Sequence, residues 1–490
     1  MSGVSRLYGR CMEGEMKDLI KGASISNYVK SPFLVWCEKF APKEEKDPDS
    51  MFMQMIFQNG IMYEEKIGMM KYPLAVRLDP ESWEKGFLQC MQFFFDGVQV
   101  IRNPPLYHLP LGLQAVPDIL VRNEVKGSHF GDYHYIVKEV KSSLSIRQEH
   151  IMQAAFYNYI IGQIQGYTPG YFYLINGKNQ EIRLEYHKYH GPLMGIMKGI
   201  REIFSGKQVY PERLDWPWQN FSLKVSQQHQ ALSLIPGIYT AHRDILVENG
   251  LKTLQDFQNA NSKNFNGISH QILQKYALHS RAILESKCIV LRRPRLPQGK
   301  TEIFLDFEGI EEAVFGDSIL TVDYLIGLLL VQNGKEEYIA FLSENPDQEH
   351  ENFIKFLKFL KKSGDFAIYH YGSHERRHLL NLFQKYKVHK NTAEWISKAL
   401  IDLHTVVKKS IIPPTTSYSL KDVAKFLGFR WRGEINATDS MALYMEFLKT
   451  QNRGNLEKIV QYNEDDCRAL KRVRDFLIGG TEINQEIRNG

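Results

Sequence analysis

The chain has 490 residues, of which 43% are hydrophobic and 24% are charged, and its formal net charge is +5. These values are ordinary for a globular protein of about three domains, and they exclude a chain that is disordered throughout. No uninterrupted apolar run is as long as a membrane-spanning helix, and the first residues lack the apolar core of a signal peptide, so we expect a cytoplasmic protein without a membrane partner.

The cysteines are far apart in sequence and form no CxxC pair: they are Cys11, Cys37, Cys90, Cys288 and Cys467. Their odd number and wide spacing argue against a disulfide framework or a zinc ribbon. Free thiols are consistent with a reducing cytoplasm.

The first 220 residues or so predict a mixed α/β domain. Strand-like segments lie near 110–122 and 133–141, a helix follows near 147–163, and YFYLINGKNQEIRLEY predicts a hairpin with Asn-Gly at its turn. Asp118 ends the first strand-like segment. Glu139 and Lys141 alternate along the second segment and therefore project from one face. Two carboxylates and a lysine at a sheet edge suit a divalent cation and an attacking water.

These residues resemble the PD-(D/E)xK nucleases, and in particular their RecB-like branch, in which QxxxY follows the catalytic strand. Residues 153–157 read QAAFY, which matches that motif. The resemblance implies metal ligands at Glu64, Asp118 and Glu139, with Lys141, Gln153 and Tyr157 beside them.

A solvated strand explains an isolated D…ExK pattern, and an exposed helix face explains Glu64, so QxxxY is the feature that favours the nuclease. Some RecB-like nucleases bind an iron–sulfur cluster through one early and three late cysteines. Cys37 matches the early position, but residues 150–230 contain no cysteine. We therefore expect no cluster, and we expect Cys37 to pack as a small hydrophobic residue.

Residues 223–290 predict a small all-helical unit, because short helical patterns alternate with Pro-Gly and Asn-Gly breaks. The segment IPGI resembles the hairpin of a helix–hairpin–helix element. The resemblance implies that Pro236, Gly237 and Ile238 form the hairpin, and that backbone N–H groups of this turn contact a nucleic-acid phosphate. A helical spacer between two domains is the alternative. The proline-rich, basic segment 291–300 predicts a linker.

Residues 301–480 predict a second α/β domain that begins with three antiparallel strands, with Asn-Gly-Lys at one turn. The segment FLDFEG places Asp306 and Glu308 on one face of the first strand, while the intervening apolar residues point into the core. Two carboxylates on a buried strand are unfavourable unless they bind a cation. Near the end of the chain, Tyr462 and Asp466 lie one turn apart on a helix.

The second pattern resembles the DEDD exonucleases of the RNase H-like fold, whose last motif here is Tyr-x3-Asp. The middle motif of that family is Asn-x3-Phe-Asp, whereas this chain reads HYGSHE, with Glu375 in place of the aspartate and His370 in place of the asparagine. The resemblance implies that two Mg²⁺ or Mn²⁺ ions are held by Asp306, Glu308, Glu375 and Asp466, and that Tyr462 positions the water. Asp402 fits a further site residue or a helix start equally well.

The predicted fold class is multidomain α/β, with a restriction-endonuclease-like domain at 1–222, a helix–hairpin–helix-like unit at 223–290, a linker at 291–300 and an RNase H-like exonuclease domain at 301–480. This order resembles bacterial RecB-like nucleases with a C-terminal YprB-type domain. Three functions remain open. The first is a DNA nuclease that acts on single strands or ends in repair or defence and carries a 3′–5′ exonuclease-like site. The others are an RNA 3′–5′ exonuclease and a nucleic-acid-binding protein in which one nuclease domain is degenerate.

Overall fold

The structure, a computed structural model, describes residues 18–78, 82–259, 265–297, 301–315 and 318–479. Cys11, the opening residues used to exclude a signal peptide, and residues 298–300 of the predicted linker lie outside these ranges. The chain divides into two compact units, Met1–Asp49 with Met53–Val225, and Ser50–Phe52 with Ser226–Gly490. Within the described ranges, no helix is long and apolar enough to cross a membrane.

The first unit alternates helices and short strands. Its helices are α1 Gly22–Lys30, α2 Pro32–Phe40, α3 Met51–Lys71, α4 Trp83–Phe95, α5 Gln148–Gln165 and α6 His187–Phe204. Its strands are β1 Ile20–Lys21, β2 Val76–Arg77, β3 Val100–Arg102, β4 Leu106–His108, β5 Leu113–Ala115, β6 Ile119–Asn123, β7 His134–Val140, β8 Tyr171–Ile175 and β9 Glu181–Glu185.

The larger sheet of this unit has the order β2-β3-β6-β7-β8-β9, and a smaller sheet has the order β1-β5-β4. Strand β7 is antiparallel to β6 and parallel to β8, with α5 as the connection between the two parallel strands. Val137 packs in the same cluster as the buried face of α5, whereas Val140 packs against Ile67 of α3. Helices therefore cover both faces of β7, which explains why this strand is almost entirely buried.

The strand predicted near 133–141, the helix near 147–163 and the β8–β9 hairpin are confirmed. The segment near 110–122 forms two short strands, β5 and β6, in different sheets, and Asp118 directly precedes β6 instead of ending a strand. Asn176 and Gly177 begin the hairpin loop, but the strands are in register at Ile175 and Glu181, so the loop is longer than a two-residue turn. Cys37 is fully buried among Phe33, Leu34 and Trp218, which confirms that it packs as a small hydrophobic residue.

The second unit begins with a helical segment, as predicted. The segment contains α8 Thr240–Glu248 and α9 His270–Glu285, and α7 Gln219–Gln228 runs into it from the first unit. Strand β10 Ile289–Val290 then pairs with β16 Ile411–Ile412. Beyond β10, the described part of the predicted linker lies along the same unit, because Leu291 N donates to Ser410 O at 2.8 Å and Tyr369 Oη donates to Pro297 O at 2.6 Å. The functional division into three domains stays a prediction.

A five-stranded sheet forms the centre of the second unit, in the order β13-β12-β11-β14-β15. Its strands are β11 Thr301–Phe315, β12 Ser318–Gln332, β13 Lys335–Leu342, β14 Phe366–His370 and β15 Leu400–Asp402. The predicted antiparallel start is confirmed: β11, β12 and β13 are antiparallel, and Asn333 and Gly334 form the second turn with φ of 52° and 73°. This pair of left-handed residues is typical of a two-residue hairpin.

Helices cover both faces of this sheet. They are α10 Glu349–Lys362, α11 His374–Lys385, α12 Lys390–Ala399, α13 Leu403–Ser410, α14 Leu420–Phe426, α15 Ala437–Thr450 and α16 Arg453–Gly479. Side chains alternate along β11, so Ile303 and Leu305 pack towards α10, α11 and α12, whereas Phe304 packs towards α13, α14 and α16. Asp306 and Glu308 share the register of Phe304 and therefore face the side on which α16 lies.

Candidate functional site

The last long helix brings the two ends of the second unit together. Helix α16 packs against β11 and β12 through apolar side chains that include Cys467, Leu470 and Val473. This packing places Asp466 beside Asp306 and Glu308, and carboxylate oxygens of the three residues lie within 4.8 Å of one another. Three acidic groups so close together repel one another unless a proton or a cation lies between them.

Burial raises the pKa values of all three carboxyl groups, and for Asp306 and Glu308 the neighbouring carboxylates raise the pKa further. Burial, followed by the charges of Asp466, Glu308 and Glu375, raises the pKa of Asp306 well above its ordinary value. Burial and the charge of Asp466 raise the pKa of Glu308 to about 8. Burial also raises the pKa of Asp466 to about 6, although hydrogen bonds from Trp431 and Tyr462 oppose the shift.

Glu375 lies in the first turn of α11 and is 4% exposed. Its Oε2 atom has no hydrogen-bond partner, and the nearest cationic candidate is His370 Nδ1 at 3.6 Å. A buried carboxylate oxygen without a donor is unfavourable in a folded protein. The side chain is therefore turned inwards towards the other carboxylates and not out to solvent.

These groups line one pocket of about 610 Å³. Its walls include Asp306, Glu308, Glu375, Tyr462 and Asp466. Tyr462 hydrogen-bonds to Asp466, and burial together with that charge raises the pKa of the phenol, so Tyr462 stays protonated. The structure thus brings together every residue that the DEDD resemblance implied.

The donor set fits a hard divalent cation. Mg²⁺ and Mn²⁺ prefer carboxylate oxygens, and a bound ion would compensate both the repulsion among Asp306, Glu308 and Asp466 and the unpartnered oxygen of Glu375. The described part of the pocket offers no cysteine among its lining residues.

Sequence reasoning missed the residues that hold these carboxylates in place. Asn463 Nδ2 donates to Asp306 Oδ2 at 2.7 Å, and Trp431 Nε1 donates to Asp466 Oδ1 at 2.7 Å. Tyr324 Oη, which is hydrogen-bonded to Ser440 Oγ at 2.8 Å, lies 3.4 Å from Glu308 Oε2. Asn463 carries a signal in the sequence, because it is the polar member of an otherwise apolar helical stripe.

Two acidic residues near the motifs have other partners. Asp402 is the N-cap of α13, since it accepts hydrogen bonds from His404 N at 3.0 Å and from Gly372 N at 2.8 Å. Asp465 accepts from the backbone N of Arg432 at 2.8 Å and from its Nε at 2.7 Å. Both carboxylates are thus used in structural contacts.

In the first unit, Asp118 and Glu139 meet at the ends of β6 and β7. The backbone N of Val140 donates to Asp118 Oδ2 at 2.7 Å, and Lys141 Nζ donates to Glu139 Oε1 at 2.8 Å. Burial and the charge of Glu139 raise the pKa of Asp118 well above its ordinary value. Although burial opposes it, the charges of Glu139 and Asp118 raise the pKa of Lys141, so the lysine stays cationic.

The other residues implied for the first unit lie around this pair. Burial and the charge of Glu139 raise the pKa of Glu64 on α3 to about 7. Gln153 Nε2 donates to Tyr157 Oη at 3.0 Å, so the two residues share a face of α5 as predicted. Gly22 is also required here, because a Cβ atom on it would lie 2.3 Å from Tyr157 Oη. Within the described residues, the groups of three ligand atoms closer than 4.8 Å all lie in the second unit.

The predicted hairpin residues lie in a turn before α8. Gly237 has φ of 71°, and Ile238 N donates to Ile235 O at 3.2 Å. Pro236 and Gly237 line a second pocket, of about 990 Å³, whereas Ile238 is not among its lining residues. Lys275, Lys408 and several tyrosines also line this pocket, and Tyr371 lines both this pocket and the pocket of about 610 Å³.

A comparison of the sequence with known protein families gives a match within the second unit. Residues 303–478 match the family model RNase_H_2 of the RNase_H superfamily. The match spans β11 to α16 and contains the four carboxylates that line the pocket of about 610 Å³, which are Asp306, Glu308, Glu375 and Asp466. The C-terminal part of the chain is therefore RNase H-like, a fold whose members are typically metal-dependent nucleases. No curated protein matches the chain.

Proposed function

We propose that this protein is a metal-dependent nuclease that hydrolyses phosphodiester bonds at two separate sites, one in each unit. The observation that carries the proposal is the convergence of Asp306, Glu308 and Asp466 in one pocket of a domain that matches the RNase_H superfamily. Single-stranded DNA or DNA ends are the proposed substrate, and hydrolysis of RNA is an outcome of the same assay.

In the second unit, Asp306, Glu308, Glu375 and Asp466 would hold two Mg²⁺ or Mn²⁺ ions. Such ions polarise a phosphoryl oxygen, activate water and stabilise the leaving oxygen. Asn463 and Trp431 fix the orientations of Asp306 and Asp466 before substrate arrives. Tyr462, which remains protonated, orients the attacking water through its hydroxyl. By analogy with the DEDD family this pocket is an exonuclease site that trims a strand from its 3′ end.

In the first unit, we propose a PD-(D/E)xK site of the RecB-like type. Asp118 and Glu139 would hold the cation together with Glu64, and the ammonium of Lys141 would stabilise the charge that develops on the scissile phosphate. The succession β6, β7, α5 and β8 supports this assignment, because it puts the acidic pair at one sheet edge and the Gln153–Tyr157 pair on the connecting helix.

A nucleic-acid strand would reach the second site through the pocket next to the hairpin. Burial and the charge of Lys408 lower the pKa of Lys275, and neither ammonium has a carboxylate partner among the described residues. A phosphate between these ammonium groups would relieve their repulsion. Tyr371 lies in the walls of both pockets, which supports one path from Pro236 and Gly237 to the carboxylates.

The test is hydrolysis of labelled single-stranded DNA, duplex DNA and RNA with Mg²⁺ or Mn²⁺, by wild type, Asp306→Asn and Lys141→Ala. We expect each variant to lose one activity and to keep the other. Failure of the wild type to cleave any of the three polymers would remove the nuclease assignment, and a protein that still binds them would then be a nucleic-acid-binding protein.

A further inference from the structure

A second cluster of metal-ligand side chains lies beside the carboxylates of the second unit. Ligand atoms of Glu311, His374 and His378 lie within 4.8 Å of one another. His374 and His378 are one turn apart on α11, and their ring centroids are 4.1 Å apart. Glu311 comes from β11 and lies within the register shift between Ile310 and Ala313.

Asp323 fixes the orientation of the His378 ring. Its Nδ1 atom is hydrogen-bonded to Asp323, a buried carboxylate on β12, and its Nε2 atom points to Glu311 Oε1 at 3.3 Å. Gly309 permits this packing, since a Cβ atom there would lie 2.5 Å from Asp323 Oδ1. A carboxylate on one imidazole nitrogen, which directs the other nitrogen outwards, is the arrangement found behind metal-binding histidines.

We infer that Glu311, His374 and His378 form a separate binding site for Zn²⁺ or a similar transition-metal ion, with Asp323 as the residue that positions His378. Two imidazoles and one carboxylate favour such an ion over Mg²⁺. Three protein ligands leave a fourth position free for water or an oxygen of a ligand. Glu311 and His374 also line the pocket of about 610 Å³, so that position would face the proposed nucleotide site.

The competing arrangement is an ion pair without a metal. Arg377 is hydrogen-bonded to Glu311 and is about half exposed. In this arrangement Glu311 accepts hydrogen bonds from Arg377 and His378, and no metal ion is needed. The two arrangements make opposite predictions for removal of the guanidinium: a metal site gains a free ligand, whereas an ion-pair cluster only loses an interaction.

The test uses the full chain with Asp306→Asn, Asp466→Asn and Glu139→Gln, so that the carboxylate sites of the proposed nuclease no longer contribute. Titration with Zn²⁺, and with Co²⁺ followed by its visible absorption, should give one ion per chain. His374→Asn and His378→Asn should each abolish this binding. His350→Asn, which changes an exposed histidine on α10 of the same unit, should leave it unchanged.

Two more variants separate a metal site from a loss of folding. Asp323→Asn should weaken Zn²⁺ binding by roughly 10–100-fold, as expected for a carboxylate behind a ligand histidine. Arg377→Gln should strengthen it by up to about fivefold, the factor that corresponds to an exposed ion pair. The proposal is overturned if Zn²⁺ binding is absent, if it survives in both histidine variants, or if Arg377→Gln weakens it. These outcomes do not depend on nuclease activity, so the nuclease assignment stands or fails separately.

Discussion

The side-chain amide of Asn463 donates a hydrogen bond of 2.7 Å to the carboxylate of Asp306, although 157 positions separate the two residues in sequence. The amide oxygen of Asn463 in turn accepts from Tyr338 Oη at 2.8 Å, which fixes the orientation of the amide. A Cβ atom on Gly327 of β12 would lie 1.5 Å from Asn463 Oδ1. Position 327 therefore requires glycine to make room for this asparagine. Asn463, which belongs to the helix of the last motif, fixes the orientation of Asp306 in the first motif.

Replacement of the buried carboxylate should separate activity from stability. Asp306→Asn should reduce metal-dependent trimming at least about 100-fold, or about 2.7 kcal/mol of transition-state stabilisation. In EDTA the same variant should be more stable, by roughly 2–4 °C in Tm, because it removes one of several repelling charges. Asp465→Asn is the matched control. It breaks the contact with Arg432, so we expect a loss of about 1–3 kcal/mol of stability. A lower Tm for Asp306→Asn in EDTA would contradict the repulsion argument.

Divalent metal should stabilise the folded protein. Mg²⁺ or Mn²⁺ at about 100 times Kd should add about 2.7 kcal/mol to the free energy of unfolding, which thermal unfolding with and without EDTA measures. Glu375→Gln should reduce this increment, because the inward-facing oxygen of Glu375 has no other partner. An increment equal to that of the wild type would show that Glu375 is not a ligand.

In the first unit, Lys138 of β7 is a control for Lys141, which directly follows that strand. Lys141→Ala should abolish the activity that survives in Asp306→Asn, because its ammonium lies at the Glu139 and Asp118 carboxylates. Lys138→Ala removes a lysine three positions earlier that pairs with Glu181, so we expect full activity. Both variants are assayed in the Asp306→Asn background on single-stranded DNA. Equal activity of the two variants would argue against a site at Lys141.

Charge reversal in the pocket of about 990 Å³ should weaken binding of a nucleic-acid strand. Lys275→Glu with Lys408→Glu should reduce affinity for single-stranded DNA by at least about tenfold. The slope of log affinity against log salt should also fall, by about 0.7 for each lost phosphate contact. Fluorescence anisotropy in EDTA measures binding without cleavage. Lys358→Glu, an exposed lysine on α10, should bind like the wild type. An unchanged salt slope in the double variant would leave this pocket without a role in binding.

His279 should make the stability of the second unit depend on pH. Burial, then the charges of Lys275 and Lys408, lower the pKa of His279 to about 4, and its Nε2 lies 3.3 Å from Tyr418 Oη. The unfolded chain takes up this proton near pH 6.5, so stability is fully present above that pH and falls towards pH 4. When the pH falls from 7 to 5, the free energy of unfolding, measured with urea, should decrease by about 2 kcal/mol less in His279→Gln than in the wild type. Equal decreases in the free energy of unfolding for the two proteins would mean that protonation of His279 does not cause the pH dependence.

The elements of both units were predictable because their patterns are local. Alternation along YHYIVKEVK and FLDFEG indicates a strand whatever the rest of the chain does, and QAAFY and YNEDD keep their spacing on any helix. Each of these segments therefore placed its own site residues on the correct face.

The contacts between segments were not predictable in the same way. Asn463 meets Asp306, and Trp431 meets Asp466, only because α16 packs on the face of the sheet that carries Phe304. Glu311 meets His374 and His378 only because α11 packs on the opposite face of the sheet, which carries Ile303 and Leu305. Sequence spacing carries no information about either event, so the supporting residues and the second metal-ligand cluster had to come from the structure.

The position of α16 in the chain also sets the order in which the protein acquires its chemistry. A ribosome completes β11 long before it synthesises α16, so Asp306 and Glu308 emerge without Asp466, Tyr462 and the amide of Asn463. The pocket is assembled only when the helix has left the exit tunnel and closed over the sheet. A chain that has not yet released α16 from the ribosome therefore carries the first motif of the proposed site without the last.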